Sequence, residues 1–417
     1  MIEQPDIITP RSVDMPRAVE HSSANGVKIY VLDSDDFEVV RFTFVFHAGT
    51  SMQHTPFTAS ATANMLGEGS DTMTSQQIAE RLDFYGSYFD INIDRDYAYI
   101  SFCSLRKFFA QTAEVAREIL LHPTFPEHEL AIYCSKRKQS LKVERRKIET
   151  QSRELFAKAL FGAEHPYGIS SDEELYDELH REDLTELYHR LYTAENCFVV
   201  ASGDIDSEVL STIADIAEGL SHGTQSSVSL PEPRPTSTTK RDIASALQSS
   251  IRIGRLLFDR RHPDFVGMQV VAATLGGYFG SRLMQNLREE HGYTYGVMAA
   301  MVNFEHAGYL AIATQVAREH RDDALNEIYA EIERLRNELV SDEELQMVKN
   351  VMVGEILRIL DGPFGIADVT IENIMCGSDN SLTENSVSQI LATTPEDIRH
   401  LAQRYLARED LIEVTVG

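Results

Sequence analysis

The segment LREEHGYTYG contains an arginine and a tyrosine whose chemistry could act on a peptide bond. Arg288 and Tyr295 lie seven residues apart, and a turn at Gly292 between a helix and a strand would bring their side chains together. A guanidinium offers five donors to carbonyl or carboxylate oxygens, and a tyrosine hydroxyl can donate to a developing oxyanion. On residue types alone, an exposed arginine and a half-buried tyrosine without a functional role are the simpler interpretation.

Other catalytic motifs are missing from the sequence. Its 14 histidines form neither HExxH nor HxxEH, the spacings that place two imidazoles and a glutamate on one helix. His122 and His128, in HPTFPEHEL, lie in a segment broken by prolines, which indicates a surface loop. The GxSxG motif is absent, but a catalytic triad formed by serine, histidine and aspartate residues far apart in sequence is not excluded. The glycines of GGYFGSR follow no phosphate-binding spacing and are typical of tight turns.

Two carboxylates stand out in SLKVERRKIETQSRELF, namely Glu144 and Glu149. The segment is strongly charged, and its acidic and basic residues recur at helical spacing. This pattern predicts a helix with a solvated face and ion pairs four residues apart.

Composition excludes several classes of protein. The chain has 417 residues and a net charge of −27, whereas general nucleic-acid binding needs a basic surface. No apolar run is long enough for a transmembrane helix, and the first 20 residues lack the apolar core of a secretory signal. The cysteines are scattered, which is typical of thiols in a reducing compartment: Cys103, Cys134, Cys197 and Cys376. We therefore expect a cytoplasmic protein of bacterial origin that binds neither membrane nor nucleic acid.

The two halves of the chain repeat one order of elements. Each half has a strand, a helix of small apolar residues that ends at Leu-Gly, an amphipathic helix that closes on glycine, and two strands around a turn. Each half then finishes with a helix, a loop and a strand. We therefore predict an α+β fold of two homologous domains, each a mostly antiparallel sheet packed with helices. The domains span 1–221 and 242–417, and the Ser-, Thr- and Pro-rich segment 222–241 is the linker.

The amphipathic helix of the first half carries signals at both ends. In TSQQIAERLDFYG, Thr74 and Gln77 have the spacing of a capping box, and Gly86 stands where a left-handed C-terminal cap belongs. The corresponding helix of the second half, SRLMQNLREEHG, ends at Gly292.

Together, these motifs resemble the pitrilysin/insulinase family of zinc peptidases, the inverzincins, which includes mitochondrial processing peptidase. The resemblance runs from about residue 25 to the C-terminus. It is carried by FVFHAGT, MLGEGSDTMTSQQIAERLDFYGSYFD, ILLHPTFPEHEL, ALFGAEHPYG and GGYFGSRLMQNLREEHGYTYGV. The last of these is the most specific, because family members carry an arginine and a tyrosine at this spacing in their second half.

The chain departs from the family at the zinc motif. Active members carry HxxEH before a Met-Leu pair, and aligning Met65-Leu66 on that pair places Ser60 and Asn64 at the histidines and Ala63 at the glutamate. Serine and asparagine are not usual zinc ligands, and alanine cannot serve as a general base. Glu144 is the nearest match to the third ligand of the family. The resemblance therefore implies a chain that binds no zinc.

The resemblance also implies a role beside an active partner. In heterodimeric members, a chain without zinc supplies the arginine and tyrosine that hold the peptide at the partner's zinc. We expect this chain to be such a non-catalytic subunit, inactive alone, with peptides and a zinc-bearing homologue as its partners and Arg288 and Tyr295 acting in trans. Three alternatives stay open: a peptide-binding or scaffold homologue without an active partner, an active peptidase using Glu144 and a distant histidine, and a homodimer in isolation.

Overall fold

Two sheets form the framework of the protein. The computed structural model describes residues 10, 12–225, 230–236 and 238–417. The first sheet contains β1 (Val19–Ser22), β2 (Lys28–Asp33), β3 (Val39–Phe46), β4 (Tyr88–Ile93), β5 (Ala98–Leu105) and β6 (Cys197–Gly203). The second contains β7 (Thr239–Arg241), β8 (Gln248–Leu257), β9 (Val297–Asn303), β10 (Gly308–Ala317) and β11 (Ile412–Val416).

The order of the strands shows the duplication directly. The first sheet has the order β1-β2-β6-β3-β5-β4, and the second has β7-β11-β8-β10-β9. In each sheet one pair is parallel, β2 with β6 and β7 with β11, and the other pairs are antiparallel. With the edge strand β1 set aside, the two orders correspond strand by strand. The predicted α+β fold of two homologous, mostly antiparallel sheets packed with helices is therefore confirmed.

Helices cover the faces of both sheets. They are α1 (Thr58–Met65), α2 (Ser75–Tyr85), α3 (Phe109–Leu121), α4 (Glu127–Glu144), α5 (Ile148–Phe161), α6 (Arg181–Leu191), α7 (Ser207–Glu218), α8 (Phe265–Gly276), α9 (Arg321–Asn337), α10 (Asp342–Ile359), α11 (Pro363–Met375), α12 (Ser381–Ala392) and α13 (Pro395–Tyr405). The segment Met284–Glu290 is π-helical. No helix among the described residues is both long and apolar enough to cross a membrane.

The caps predicted for α2 are confirmed. The Thr74 side chain accepts a hydrogen bond from the Gln77 N–H, the Gln77 side chain accepts one from the Thr74 N–H, and Gly86 ends the helix at φ +60°. The corresponding helix of the second half differs, because it is π-helical before Gly292, which has φ +66°. A π-helical turn is rare and is frequently found at functional sites.

Each half gives one helix to the sheet of the other half. In α5, Phe156 and Phe161 pack against Ile412 and Val414 of the second sheet. Conversely, α11 lies against the first sheet, where Ile371 packs with Val45 and its neighbours. Because these contacts bury apolar surface in both directions, the two halves share their cores and pack as one body.

The segment predicted as the linker forms several hydrogen bonds with the rest of the protein. Gly223 donates to the Glu195 carboxylate, and Arg234 and Thr236 donate backbone N–H groups to carbonyls of α5. Thr239–Arg241 then forms β7, an edge strand parallel to β11. Residues 226–229 and 237 of this segment lie outside the described residues. The domain limits 1–221 and 242–417 stay predictions.

Candidate functional site

Helix α1 carries the three positions where the family holds zinc and its base. Ala63 is fully buried, Ser60 is half-buried and Asn64 is exposed. The Asn64 Nδ2 donates to the Ser60 carbonyl oxygen at 2.7 Å, so its amide folds back along the helix. The three residues thus follow one stripe of the helix, spaced three and four residues apart, but only Ser60 lines the cavity beside α1.

The cavity beside α1 has a volume of about 480 Å³ and is bounded by α4, α5 and the second sheet. Ser60 and Glu144 both line it, so the structure brings these two predicted positions to the same cavity. Glu144 is the last residue of α4, more than 80 positions along the chain from Ser60. No histidine lines the cavity within the described residues.

The side chains at these positions do not fit the zinc site of the family. Zinc in proteins takes thiolate, imidazole or carboxylate ligands, and of the four predicted positions only Glu144 offers one. Ala63 offers no atom that could accept a proton, and the Asn64 amide is used within the helix. Helix α1 therefore offers neither the ligands that would hold a metal-bound water nor a general base to activate it.

Five arginines line the same cavity, and sequence analysis missed all of them: Arg95, Arg137, Arg145, Arg153 and Arg252. They come from the β4–β5 turn, α4, the α4–α5 connection, α5 and β8. Burial lowers the pKa of Arg95 and of Arg252, and the like charge of Arg153 lowers both further. No local pattern predicts such a cluster, because the residues converge only through the packing of both halves.

The second predicted site lies at the end of the π-helical segment. The Arg288 guanidinium lies over the Phe279 ring at 4.5 Å from its centroid, and its Nε is 3.5 Å from a Glu289 carboxylate oxygen. Tyr295 is 94% exposed and lines an open depression of about 460 Å³. Within the described residues, the side chains of Arg288 and Tyr295 do not contact each other. That the two side chains act at one spot therefore stays a prediction.

The depression around Tyr295 adjoins the arginine-lined cavity. Arg252 lines both spaces, and Glu149 lines the depression. The Glu149 carboxylate accepts a hydrogen bond from Gln315 at 3.0 Å. The Arg252 side chain is therefore part of the wall of both spaces.

A third cluster, also missed in the sequence, joins the two halves. The His47 Nε2 lies 2.9 Å from a Glu305 carboxylate oxygen, and the His306 Nε2 lies 3.8 Å from the same oxygen. Burial alone would raise the pKa of Glu305, but the hydrogen bond and charge of His47 outweigh it and the pKa lies below its ordinary value. Two imidazoles and a carboxylate are a donor set that zinc accepts. The motif search could not find it, since His47 and His306 are far apart in sequence.

The chain is similar to known peptidases and to proteins named as inactive relatives of them. Residues 178–352 match the family model described as Peptidase M16 inactive domain. The Bacillus subtilis protein "Uncharacterized zinc protease YmxG" is 22% identical over 356 residues, which cover 83% of this chain and 85% of that protein. The "Probable inactive metalloprotease YmfF" of the same organism is 21% identical over 56% of this chain and 55% of its own length.

Solved structures share the complete fold. The peptidase M16 inactive domain from Pseudomonas fluorescens matches with a TM-score of 0.86 and 23% identity, covering 96% of this chain and 98% of that chain. A protease from Helicobacter pylori matches with a TM-score of 0.86 and 14% identity, covering 97% and 100%.

These matches confirm the resemblance of the chain to the pitrilysin/insulinase family of zinc peptidases. Its match to an inactive domain and its likeness to an inactive metalloprotease are consistent with a non-catalytic peptidase homologue. The matched residues 178–352 do not include α1, so the loss of the zinc motif is read from Ser60, Ala63 and Asn64 themselves.

Proposed function

We propose that the chain is the non-catalytic, substrate-binding subunit of a heterodimeric zinc metallopeptidase. In this proposal Arg288 and Tyr295 act in trans, at the zinc of a homologous partner chain. The chain binds no zinc at Ser60, Ala63 and Asn64, and it does not cleave peptides alone. Its location in the cytoplasm stays a prediction.

The exposure of Tyr295 is the observation that carries the proposal. Tyr295 is 94% exposed, so its ring is in contact with water. Covering the ring with a partner or ligand would lower the free energy of the protein. Met298 lines the same depression and is 55% exposed, and Phe279 beside Arg288 is 58% exposed. Exposed aromatic and methionine side chains next to an arginine are typical of protein interfaces.

The chemistry of the two residues suits cleavage of a peptide bond at a neighbouring metal. The Arg288 guanidinium can donate two hydrogen bonds to a substrate carbonyl and hold the peptide in place. The Tyr295 hydroxyl can donate to the oxygen that becomes negative in the tetrahedral intermediate. Neither residue supplies a nucleophile, so the water and its activation come from the partner chain.

The proposal is tested by mixing the purified chain with a homologue that carries HxxEH and measuring peptide cleavage. We expect no cleavage by this chain alone and cleavage by the mixture. Arg288→Ala and Tyr295→Phe should each lower kcat/KM by about 10²-fold, since each removes a hydrogen bond to the reacting group. Tyr88→Phe, at another exposed tyrosine, is the matched control. Full activity of both variants would refute the roles of Arg288 and Tyr295.

Metal analysis of the purified chain provides a second test. We expect much less than one zinc per chain after dialysis. Stoichiometric zinc that is lost in His306→Ala would place a metal at the cluster of His47, Glu305 and His306. Stoichiometric zinc that persists in this variant would revive a metal site elsewhere, including one that uses Glu144.

The second candidate is a peptide-binding or scaffold homologue without an active partner. A chain of Complex III2 from Candida albicans, with Inz-5 bound, shares the fold with a TM-score of 0.77 and 17% identity, covering 96% of this chain and 95% of that chain. The fold therefore occurs in a large assembly. Peptide binding by this chain, together with no cleavage in any mixture with HxxEH homologues, would favour this candidate.

A further inference from the structure

The cavity beside α1 is cationic in a strongly acidic protein. Five arginines line it against two glutamates, whereas the whole chain has a net charge of −27. Such a local reversal of charge focuses a positive potential inside a space with low-dielectric walls. The cavity therefore attracts anions even though the surrounding surface repels them.

Only part of this positive charge is balanced within the protein. Arg145 forms salt bridges with Glu154, Asp172 and Glu173. By contrast, Arg95, Arg153 and Arg252 form no salt bridge with any described residue. The Arg95 guanidinium donates to the Pro166 carbonyl oxygen at 3.4 Å, and the Arg252 Nε donates to the Ser152 hydroxyl at 3.1 Å.

These unbalanced arginines are held close enough to repel one another. The charge of Arg153 disfavours the charged forms of both Arg95 and Arg252, in addition to the cost of their burial. The Glu149 carboxylate, on the side of the Tyr295 depression, opposes this partly at Arg252, and the neighbouring Asp96 carboxylate opposes it at Arg95. Since arginine stays protonated in proteins, the repulsion is relieved by an anion and not by loss of a proton.

The size and walls of the cavity indicate the kind of anion. A volume of about 480 Å³ is far larger than a simple ion needs and lies in the range of ligand pockets. Aromatic rings form much of its wall, including Phe57, Phe161 and Tyr309. A ligand with a carboxylate at one end and apolar or backbone atoms behind it fits both features.

We propose that this cavity binds the carboxylate of an acidic peptide segment, held by Arg95, Arg153 and Arg252. The choice of a peptide rests on the proposed function, whereas the charge and size of the cavity do not. Because Arg252 also lines the Tyr295 depression, a peptide anchored in the cavity extends toward Tyr295. The cavity thus selects substrates that carry an acidic residue, or a free C-terminus, a few residues from the bond that is cleaved.

The test measures binding to the purified chain alone by isothermal titration calorimetry. The probes are an acetylated and amidated hexapeptide with two internal glutamates, the same peptide with glutamines, and the glutamine peptide with a free C-terminus. Binding of the glutamate peptide without binding of the amidated glutamine peptide supports the proposal. Binding of the free C-terminus identifies the terminal carboxylate as a source. Equal binding of all peptides, no binding, or tighter competing binding of inorganic phosphate would overturn it.

Variants locate the binding in the cavity. Arg153→Gln and Arg252→Gln should each weaken binding of the glutamate peptide at least about tenfold, as expected for a hydrogen bond to a charged group. Arg153 is exposed and forms no hydrogen bond or salt bridge with another described residue, so Arg153→Gln still tests the proposal if Arg252→Gln is unstable. Arg146→Gln is the matched control, because Arg146 is exposed and close in sequence but does not line the cavity.

The outcomes separate this proposal from the proposed function. Absence of cleavage in the mixed assay with the unchanged chain, together with intact binding of the glutamate peptide, would count against the proposed function and leave the cavity proposal standing. If Arg153→Gln supports full cleavage and the glutamate and glutamine substrates are cleaved equally fast, the proposed peptide binding in the cavity is wrong. The role of Tyr295 is unaffected by that result.

Discussion

The two halves of the protein share one topology but differ at the same two places. In the first half, α1 borders an open cavity, and α2 is a regular α-helix with a capping box. In the second half, α8 is packed almost entirely into the core, and the helix that corresponds to α2 is π-helical and carries Arg288. The two halves therefore share the order of their helices and strands but not the side chains at these two places.

The difference shows which parts of a duplicated unit can change. Both helices α1 and α8 follow a central strand and end at Leu-Gly, so the sheet fixes their positions. What each helix does depends on the groups that face it from elsewhere. At Ser60 of α1 these are arginines from both halves across the cavity, whereas α8 meets apolar residues of one core.

Burying a carboxylate at equivalent positions of α1 and α8 should be costly in both halves. Ala63 and Ala272 stand three residues before the terminal leucine of their helices and are 0% and 2% exposed. Ala63→Glu and Ala272→Glu should each lower the free energy of unfolding by about 3 kcal/mol or more, because the new charge has no partner. Denaturation with urea measures the change, and Asn64→Glu is the exposed control. A cost below about 1 kcal/mol for Ala63→Glu alone would show that α1 has space for a glutamate at this position.

The glycines at the ends of these helices should respond differently to alanine. A Cβ on Gly276 would lie 2.8 Å from the Ala299 backbone nitrogen, whereas a Cβ on Gly67 would lie 2.7 Å from the edge of the Phe89 ring. A backbone atom of a paired strand cannot move easily, but a half-buried ring can turn. Gly276→Ala should therefore destabilise the protein by about 2 kcal/mol and Gly67→Ala by less than about 1 kcal/mol. Equal thermal midpoints for the two variants would contradict this reasoning.

The smallest expected difference concerns the first residues of α2 and of its counterpart. Thr74 caps α2 through its hydroxyl, whereas the equivalent Ser281 hydroxyl is buried and has no hydrogen-bond partner among the described residues. Thr74→Ala should cost about 1 kcal/mol, and Ser281→Ala should be neutral or slightly stabilising. Thermal unfolding of both variants measures the difference. A cost at Ser281 equal to that at Thr74 would imply that the second helix is capped as the first is.

The local structure and the loss of the zinc motif could both be predicted from residue types and their spacing. The capping box of Thr74 and Gln77, the turn at Gly86 and the repeated order of strands follow from hydrogen bonds and apolar patterns between near neighbours. The replacement of the zinc motif at Ser60, Ala63 and Asn64 is likewise visible in the residue types, because no folding can turn alanine into a base.

The surroundings of these positions depend on how the two halves pack, which residue spacing does not reveal. The exchange of α5 and α11 between the sheets brings Arg95, Arg153 and Arg252 into one cavity, and the contact of the halves places His47 beside Glu305. The residues of each cluster are separated by tens to hundreds of positions, so no spacing rule links them. Apolar burial sets the packing, and the packing then fixes which charges must lie close together.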